Sequence, residues 1–382
     1  MGIQKFVAKT LYGLENVLAS ELKELGATDA EPGNRAVFFT GNKELLYRIN
    51  YCSRTAISVL MPVASFSIGS REDLYKSSKA LSWSKYMSAS MTFSIVPVVN
   101  SKLFSHTMYP GLVLKDAIAD HFRSKTGIRP DVDTENPDLL INLHISNRKV
   151  TISLDSSVTP LFKRAYRVRQ GMAPLNEVLA AGILKLSGWD ASKPLLDPMC
   201  GSGTIPIEAG LMANNVPPGF FRNTYGFSKW KDYDDTLFRK VREDCDSRII
   251  KSSAVIKGTD ISEEAIKIAS ANAEKAGLKG VVSFKVADFK DLKPGSTEGY
   301  LVFNPPYGQR LQVEELNSQY RLIGSTLKHS YSGHKAWIIT PGKECLHNIG
   351  LRPSVKYKLF NGSIECILAG FQMYSGSLRR HD

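Results

Sequence analysis

Cysteine is scarce. Five thiols, Cys52, Cys200, Cys245, Cys345 and Cys366, stand among 382 residues with no C-x-x-C pair and no histidine at ligand spacing. That pattern writes neither a zinc site nor a disulfide framework, so no metal is expected and a reduced, cytoplasmic protein fits best. Long apolar runs are missing too: no stretch approaches the roughly 18 continuous apolar residues that could span a bilayer. The opening Met1 to Phe6 shows neither an apolar core nor a small-residue cleavage site, which disfavours secretion and membrane insertion. Internal repeats and low-complexity tracts are absent, which excludes solenoids and disordered arrays.

Apolar residues make up 43% of the chain and charged ones 23%, enough to bury real cores, and the length suggests two or three domains. Lys and Arg number 49 against 37 Asp and Glu, a formal charge of +12 that favours a polyanionic partner such as RNA or DNA.

Periodicity organises the first part into strands at Lys5 to Lys9, Ala36 to Thr40 and Ala56 to Val63, with helices through Leu14 to Leu25 and over Lys43 to Cys52. This is a small α+β layer. A second unit begins at Ser70, with helices over Arg71 to Leu81 and Gly111 to Lys125 and strands over Met91 to Val99, Leu139 to Ile145 and Lys149 to Leu154. The apolar face of its second helix reads as Leu112, Ala119 and Phe122. Neither unit shows a catalytic constellation, so binding or positioning is the expectation. Between Leu161 and Arg169 four basic residues, Lys163, Arg164, Arg167 and Arg169, stand among aromatic and apolar ones. They read either as a solvated linker or as a hinge that grips phosphates.

After Pro174 strands and helices alternate: helix Leu175 to Leu186, strand Pro194 to Asp197, helix Thr204 to Ala213, strand Val255 to Thr259, helix Ser262 to Ala276, then strands Val281 to Ala287 and Tyr300 to Phe303. This alternation predicts a doubly wound, mostly parallel α/β sheet. Ala336 to Thr340, Tyr357 to Phe360 and Ile364 to Phe371 follow, and Asn361-Gly362 predicts an antiparallel hairpin at the sheet edge. An insertion from Asn214 to Ser253 carries Phe220, Phe221, Tyr225, Trp230 and Tyr233; packing against the domain surface is the expected use of most of those rings.

Strand ends hold ligands in such sheets. Asp197-Pro198-Met199-Cys200-Gly201-Ser202-Gly203-Thr204 follows a strand and opens a helix, yet it lacks both the third glycine of a dinucleotide fingerprint and the Gly-Lys-Ser/Thr of a P-loop. What remains is a backbone loop open to a bulky ligand, flanked by an acid that could receive a cationic or amine group. Asp260, with Ile261, ends the next strand, where a carboxylate can accept from both hydroxyls of a ribose or complement the following helix. Asp288 and Phe289, at a third strand end, could contact an adenine. Phe303 leads into Asn304-Pro305-Pro306-Tyr307-Gly308, where two prolines fix a turn that aims the Asn304 amide oxygen and the Pro305 carbonyl at one donor. A nucleobase amino group is such a donor, and Tyr307 supplies a stacking face.

Asp197 to Thr204 together with Asn304 to Gly308 resembles the S-adenosylmethionine-dependent amino methyltransferases of Rossmann-like, class I fold. Phe162 to Arg167, Ala173 to Ala181 and Leu359 to Cys366 narrow the resemblance to bacterial THUMP-containing enzymes acting on guanine N2 of 23S ribosomal RNA. The resemblance implies a ferredoxin-like domain over 1–65, an RNA-binding THUMP domain over 66–160, a basic hinge over 161–172 and a methyltransferase domain over 173–382. Because one branch carries a second catalytic domain, a chain stopping at Asp382 is expected to be the single-domain type. The resemblance further implies that Gly201 and Gly203 form the turn under the methionine part of S-adenosylmethionine, that Thr204 is cofactor-binding and that Asp197 lies near the sulfonium-bearing moiety. Asp260 would hold the ribose and Asp288 would accept the adenine amino group, with Ile261 and Phe289 also among the cofactor-binding residues. Asn304, Pro305, Pro306 and Tyr307 would act on the base, with Lys163, Arg164, Arg167 and Arg169 on the RNA backbone. A guanine-N2 enzyme acting on tRNA and a non-catalytic ribosome-assembly factor are the alternatives, and the Asn-Pro-Pro-Tyr motif also serves DNA adenine-N6 and protein glutamine methylation. A fragment beginning near Ala173 is expected to fold and bind cofactor.

Overall fold

The computed structural model describes residues 2–169, 174–306 and 313–374. Two seven-stranded sheets carry the chain. The first is built from β1 (Gln4–Lys9), α1 (Glu15–Glu24), β2 (Thr28–Pro32), β3 (Ala36–Gly41), α2 (Lys43–Cys52), β4 (Ser58–Ser67), α3 (Arg71–Ala80), β5 (Phe93–Asn100), α4 (Tyr109–Thr126), β6 (Leu139–Ser146) and β7 (Lys149–Asp155). Local chemistry starts the helices: Asn42 caps α2 by accepting from Leu45 N, and Ser70 with Asp73 forms a capping box at α3. In α4 the buried stripe runs through Leu114, Ile118 and Phe122 at four-residue spacing; Leu112, expected on that face, is 53% exposed.

The strand order is β2-β3-β1-β4-β7-β6-β5. β4 pairs with β1 on one side and β7 on the other, so the expected boundary at residue 65 falls inside a strand that serves both units. One hydrophobic cluster runs beneath the whole sheet, from Phe6 and Leu18 to Phe93 and Leu143.

The second sheet is built from α5 (Glu177–Ser187), β8 (Leu195–Asp197), α6 (Thr204–Ala213), α7 (Asp235–Asp246), β9 (Ile256–Asp260), α8 (Glu263–Lys275), β10 (Val282–Val286), β11 (Tyr300–Phe303), α9 (Val313–Ser330), β12 (Lys335–Thr340), α10 (Lys343–Asn348), β13 (Val355–Asn361) and β14 (Ile364–Gln372). Its order is β10-β9-β8-β11-β12-β14-β13. The first five strands are parallel, and the β13-β14 hairpin closes the edge antiparallel to β12, as the Asn-Gly turn predicts. Leu179, Ile183, Ile205 and Leu211 cover one face; Tyr320, Ile323 and Leu327 of α9 cover the other beside Phe303 and Ile338. Helices on both faces make the fold a doubly wound α/β sheet.

Most of the insertion's rings pack into the other half of the protein. Tyr225, Phe227, Trp230, Phe238 and Val241 are buried in the core of the first sheet, where Phe227 and Phe238 meet Tyr47 of α2 at 4.5 and 5.5 Å between ring centroids. In return Leu14 sits in the core of the second sheet, so close to α5 that a Cβ on Gly182 would lie 2.5 Å from it.

Residues 161–169 alternate between buried and exposed side chains, with Lys163, Ala165, Val168 and Arg169 exposed. Leu161, Arg164 and Tyr166 are at most 2% exposed. Arg164 donates to Leu161 O at 2.8 Å and Arg54 O at 2.6 Å, with its Nε 3.6 Å from Glu208. Arg54 donates to Val216 O at 2.7 Å, while Glu21 accepts from Arg54 N at 2.9 Å. Burial pushes the Glu208 carboxyl up and the Arg54 guanidinium down, against the mutual attraction of the cluster. Exchanged aromatics and enclosed charges argue against a fragment from Ala173 folding alone: removing the first half would bare the inserted rings and strand Glu208 without its cations.

Candidate active site

The strand order reverses between β8 and β11, and the C-terminal ends of β8, β9, β10 and β11 share one edge. The crevice beside such a reversal is where ligands bind in open α/β sheets. Leu196 of β8 is level with Leu301 of β11, so Asp197 and Asn304 flank that crevice from its two sides.

The glycine loop is shaped by backbone and acid together. Gly201 and Gly203 adopt φ of +52° and +84°, the left-handed region that glycine enters without strain. Gly201 N donates to Asp260 Oδ2 at 2.9 Å, and Cys200 N to Thr259 O at 2.8 Å. A Cβ on Gly203 would lie 3.0 Å from Ala269 and Phe284, whereas one on Gly201 would meet nothing within 4 Å. Gly203 therefore permits close packing of loop against helix and strand, and Gly201 leaves space above the loop.

Asp197 is 2% exposed and accepts from Met199 N at 3.1 Å. Burial, with the Asp260 charge nearby, holds its carboxyl well above the usual carboxylate range. No cation pairs with it among the described residues. Asp260 also accepts from Ser262 N at 2.9 Å, while Ser262 itself caps α8 by accepting from Ala265 N. The helix-capping role thus belongs to Ser262, and Asp260 is left to the loop and to whatever lies over it. Ile261, next along, is 73% exposed.

Asp288 accepts from Lys290 N at 3.1 Å and pairs with Lys290 Nζ at 3.0 Å. Burial raises its carboxyl, but the Lys290 contacts outweigh it and the net shift is downward. Phe289 is not at the ligand: it is 3% exposed and packs between Phe303 and Tyr331, at 5.6 and 5.7 Å, so the expected adenine contact by its ring fails.

Asn304 follows β11, and its Oδ1 is buried with no hydrogen-bond partner among the described residues. A buried acceptor without a donor is costly in a folded chain, and a ligand N–H is the natural remedy. Pro305 is buried and Pro306 exposed; Tyr307 lies outside the described residues.

The four basic residues separate. Lys163 and Arg169 are exposed, whereas Arg164 is the enclosed ion described above and does not grip phosphate. Arg167 turns inward: it pairs with Glu177, and donates to Leu175 O at 2.8 Å, Thr204 Oγ1 at 3.1 Å and Ser202 Oγ at 3.3 Å. Thr204 is accordingly held by Arg167, where the resemblance had implied a cofactor contact. Asn272 of α8, fully buried, accepts from Val168 N at 2.8 Å and donates to Ser202 O at 3.2 Å. Arg167 and Asn272 together bolt this segment to the glycine loop. Sequence reasoning missed Glu177, Ser202 and Asn272; the available signal was an amide on the apolar stripe Ala269, Ala273, Ala276.

Known proteins match this arrangement along the chain. Family profiles match residues 5–60 (RlmL ferredoxin-like domain), 70–155 (THUMP domain) and 164–369 (RMKL-like, methyltransferase domain). A Synechocystis sp. protein, provisionally named an RNA methyltransferase, is 37% identical over 97% of both chains. The ribosomal RNA large subunit methyltransferase K/L of Shewanella frigidimarina is 37% identical over 98% of this chain and 54% of its own, so the chain spans about half of that relative. The solved structure of SMU.472, described as a methyltransferase candidate complexed with SAH, superposes with a TM-score of 0.89 at 29% identity, covering 99% of this chain and 100% of the other. The methyltransferase-domain profile, which covers more than half of the chain, and the Synechocystis relative, matched along nearly the whole of both chains, place this protein in the RMKL-like family of S-adenosylmethionine-dependent RNA methyltransferases.

Proposed function

We propose that this protein methylates the exocyclic N2 amine of a guanosine in 23S ribosomal RNA, using S-adenosylmethionine. The cofactor supplies a methyl group already activated on a positive sulfur, so no metal or covalent nucleophile is required. The residues present fit it: the space over Gly201 admits its backbone-facing part, Asp197 offers a buried acid to its cationic end, Asp260 offers carboxylate lone pairs to the ribose, and Ile261 with Asp288 borders the adenine side.

The single observation that carries the reading is the buried, partnerless Oδ1 of Asn304 across the crevice from Asp197. An amine held there by Asn304 Oδ1 and the Pro305 carbonyl is fixed by both N–H bonds. Its lone pair leaves conjugation with the ring and becomes nucleophilic, and the same two oxygens stabilise the positive charge that develops on nitrogen. Tyr307 would stack on the extruded base.

The THUMP match and the K/L relatives support RNA over other polyanions, with exposed Lys163 and Arg169 offered to its backbone and the cytoplasm as its compartment. Adenine N6 in DNA is the second reading, favoured by a Listeria monocytogenes structure described only as a predicted N6-adenine-specific DNA methylase, 28% identical with a TM-score of 0.87. Nucleoside mapping of ribosomal RNA, transfer RNA and DNA from cells lacking the gene tests the assignment. Loss of one N2-methylguanosine from 23S RNA is expected, while loss from tRNA or of N6-methyladenine from DNA would redirect it.

A further inference from the structure

Two thiols 193 positions apart in sequence meet where the halves interlock. Cys52, the last residue of α2, donates to Cys245 Sγ of α7 at 2.9 Å. Arg48, one turn earlier on α2, aims Nη1 at the same sulfur from 3.6 Å and is itself held by Glu44 and Asp244. The Cys245 sulfur is therefore approached by two donors. The Cys52 hydrogen bond, then Arg48, hold its thiol below the usual range; the same bond and burial push the Cys52 thiol up. Cys245 is buried and Cys52 half-buried. Neither belongs to the crevice described above.

We propose that Cys52 and Cys245 are a peroxide-responsive pair that closes to a disulfide and bonds the first sheet's helix α2 to the insertion of the methyltransferase half. The Cys245 thiolate attacks one oxygen of hydrogen peroxide, the O–O bond breaks, and the departing hydroxide takes a proton to become water, leaving a sulfenic acid. The Cys52 sulfur then attacks that sulfur; the S–O bond breaks, and the oxygen leaves as a second water with the Cys52 proton. Two thiols lose two electrons together, and one peroxide becomes two waters. Because the sulfurs already touch, closure asks little of the native backbone. Its main effect falls on the unfolded chain, where it closes a very long loop.

The test uses the full, reduced protein treated with equimolar hydrogen peroxide under native conditions, then alkylated and mapped by mass spectrometry. The expected result is one reductant-reversible link between the Cys52 and Cys245 peptides, with Cys200, Cys345 and Cys366 still alkylated. The unfolding midpoint should rise by on the order of several degrees on oxidation, and Cys52→Ser should abolish the rise while matching the reduced wild type beforehand. Cys52→Ala, read the same way, separates loss of the link from a folding defect of the serine variant. Oxidation of Cys245 to sulfinic acid without a link, a link that forms only after denaturation, or an equal rise in Cys52→Ala would each overturn the proposal.

Discussion

At residue scale the proposed function divides the crevice's labour between a group for the base and groups for the cofactor. Asn304→Ala should leave S-adenosylhomocysteine affinity nearly unchanged while kcat falls by about two to three decades, the loss expected when one preorganised contact to developing charge is removed. Turnover like wild type at saturating cofactor would take Asn304 out of the reaction. Asp260→Ala should weaken cofactor binding by about 1.5–3 kcal/mol. Because Asp260 also receives Gly201 N, Asp260→Asn is the sharper comparison: it keeps an acceptor for the loop while removing the charge offered to the ribose. Asp197 gives a proton readout. Burial raises its carboxyl and a cationic ligand beside it favours the carboxylate, so any proton held by the free carboxyl should leave on cofactor binding. Calorimetry should find binding more exothermic in Tris, which takes up that proton with heat, than in phosphate, and Asp197→Asn should erase the difference. The acids at strand ends and the Asn-Pro-Pro turn were legible because their chemistry is local. The inward turn of Arg164 and Arg167 was not, since a run of basic residues looks the same in sequence whether its partners are phosphates or the buried Glu208 and Glu177.

At the scale of elements, legibility followed capping and period. α2, whose cap at Asn42 and apolar spacing agree, was readable to its last residue, and so was β11, a short apolar run ended by Asn-Pro. α9 was overlooked although Leu316, Tyr320, Ile323 and Leu327 fall on one face at spacings of four and three, because the proline motif just before it reads as loop. α7 was hidden differently: its apolar residues face a partner surface some 190 positions earlier, and nothing local announces that. Phe238→Ala should therefore destabilise the protein by about 3–5 kcal/mol, the usual loss for a buried phenylalanine, although it lies far from the crevice. Denaturant unfolding with unchanged cofactor affinity would support this; a midpoint like wild type would mean that the insertion is dispensable to the first core.

At the scale of the whole molecule, RNA recognition should separate from integrity along residues 161–169. Lys163→Ala and Arg169→Ala should each flatten the slope of log RNA affinity against log salt by about 0.7–0.9 for every phosphate left without its cation, depending on strandedness, and leave the fold untouched. Arg164→Ala should instead cost about 3–5 kcal/mol of stability, as when one partner of a buried ion pair is removed, with little change in that slope. Measuring both quantities on all three variants decides which cations face the RNA. The interlock of the two halves also bears on descent and on engineering. A catalytic unit that keeps part of its chain inside its neighbour's core cannot be exchanged at a linker, as beads on a string can. Recombination that pairs this methyltransferase half with a foreign recognition front must also bring the Tyr47 surface that receives Phe227 and Phe238, or delete the insertion in the same event. Chimeras cut at residue 173 should come out insoluble, whereas chimeras that also graft residues 43–52, or excise the inserted aromatics, have a route to soluble protein.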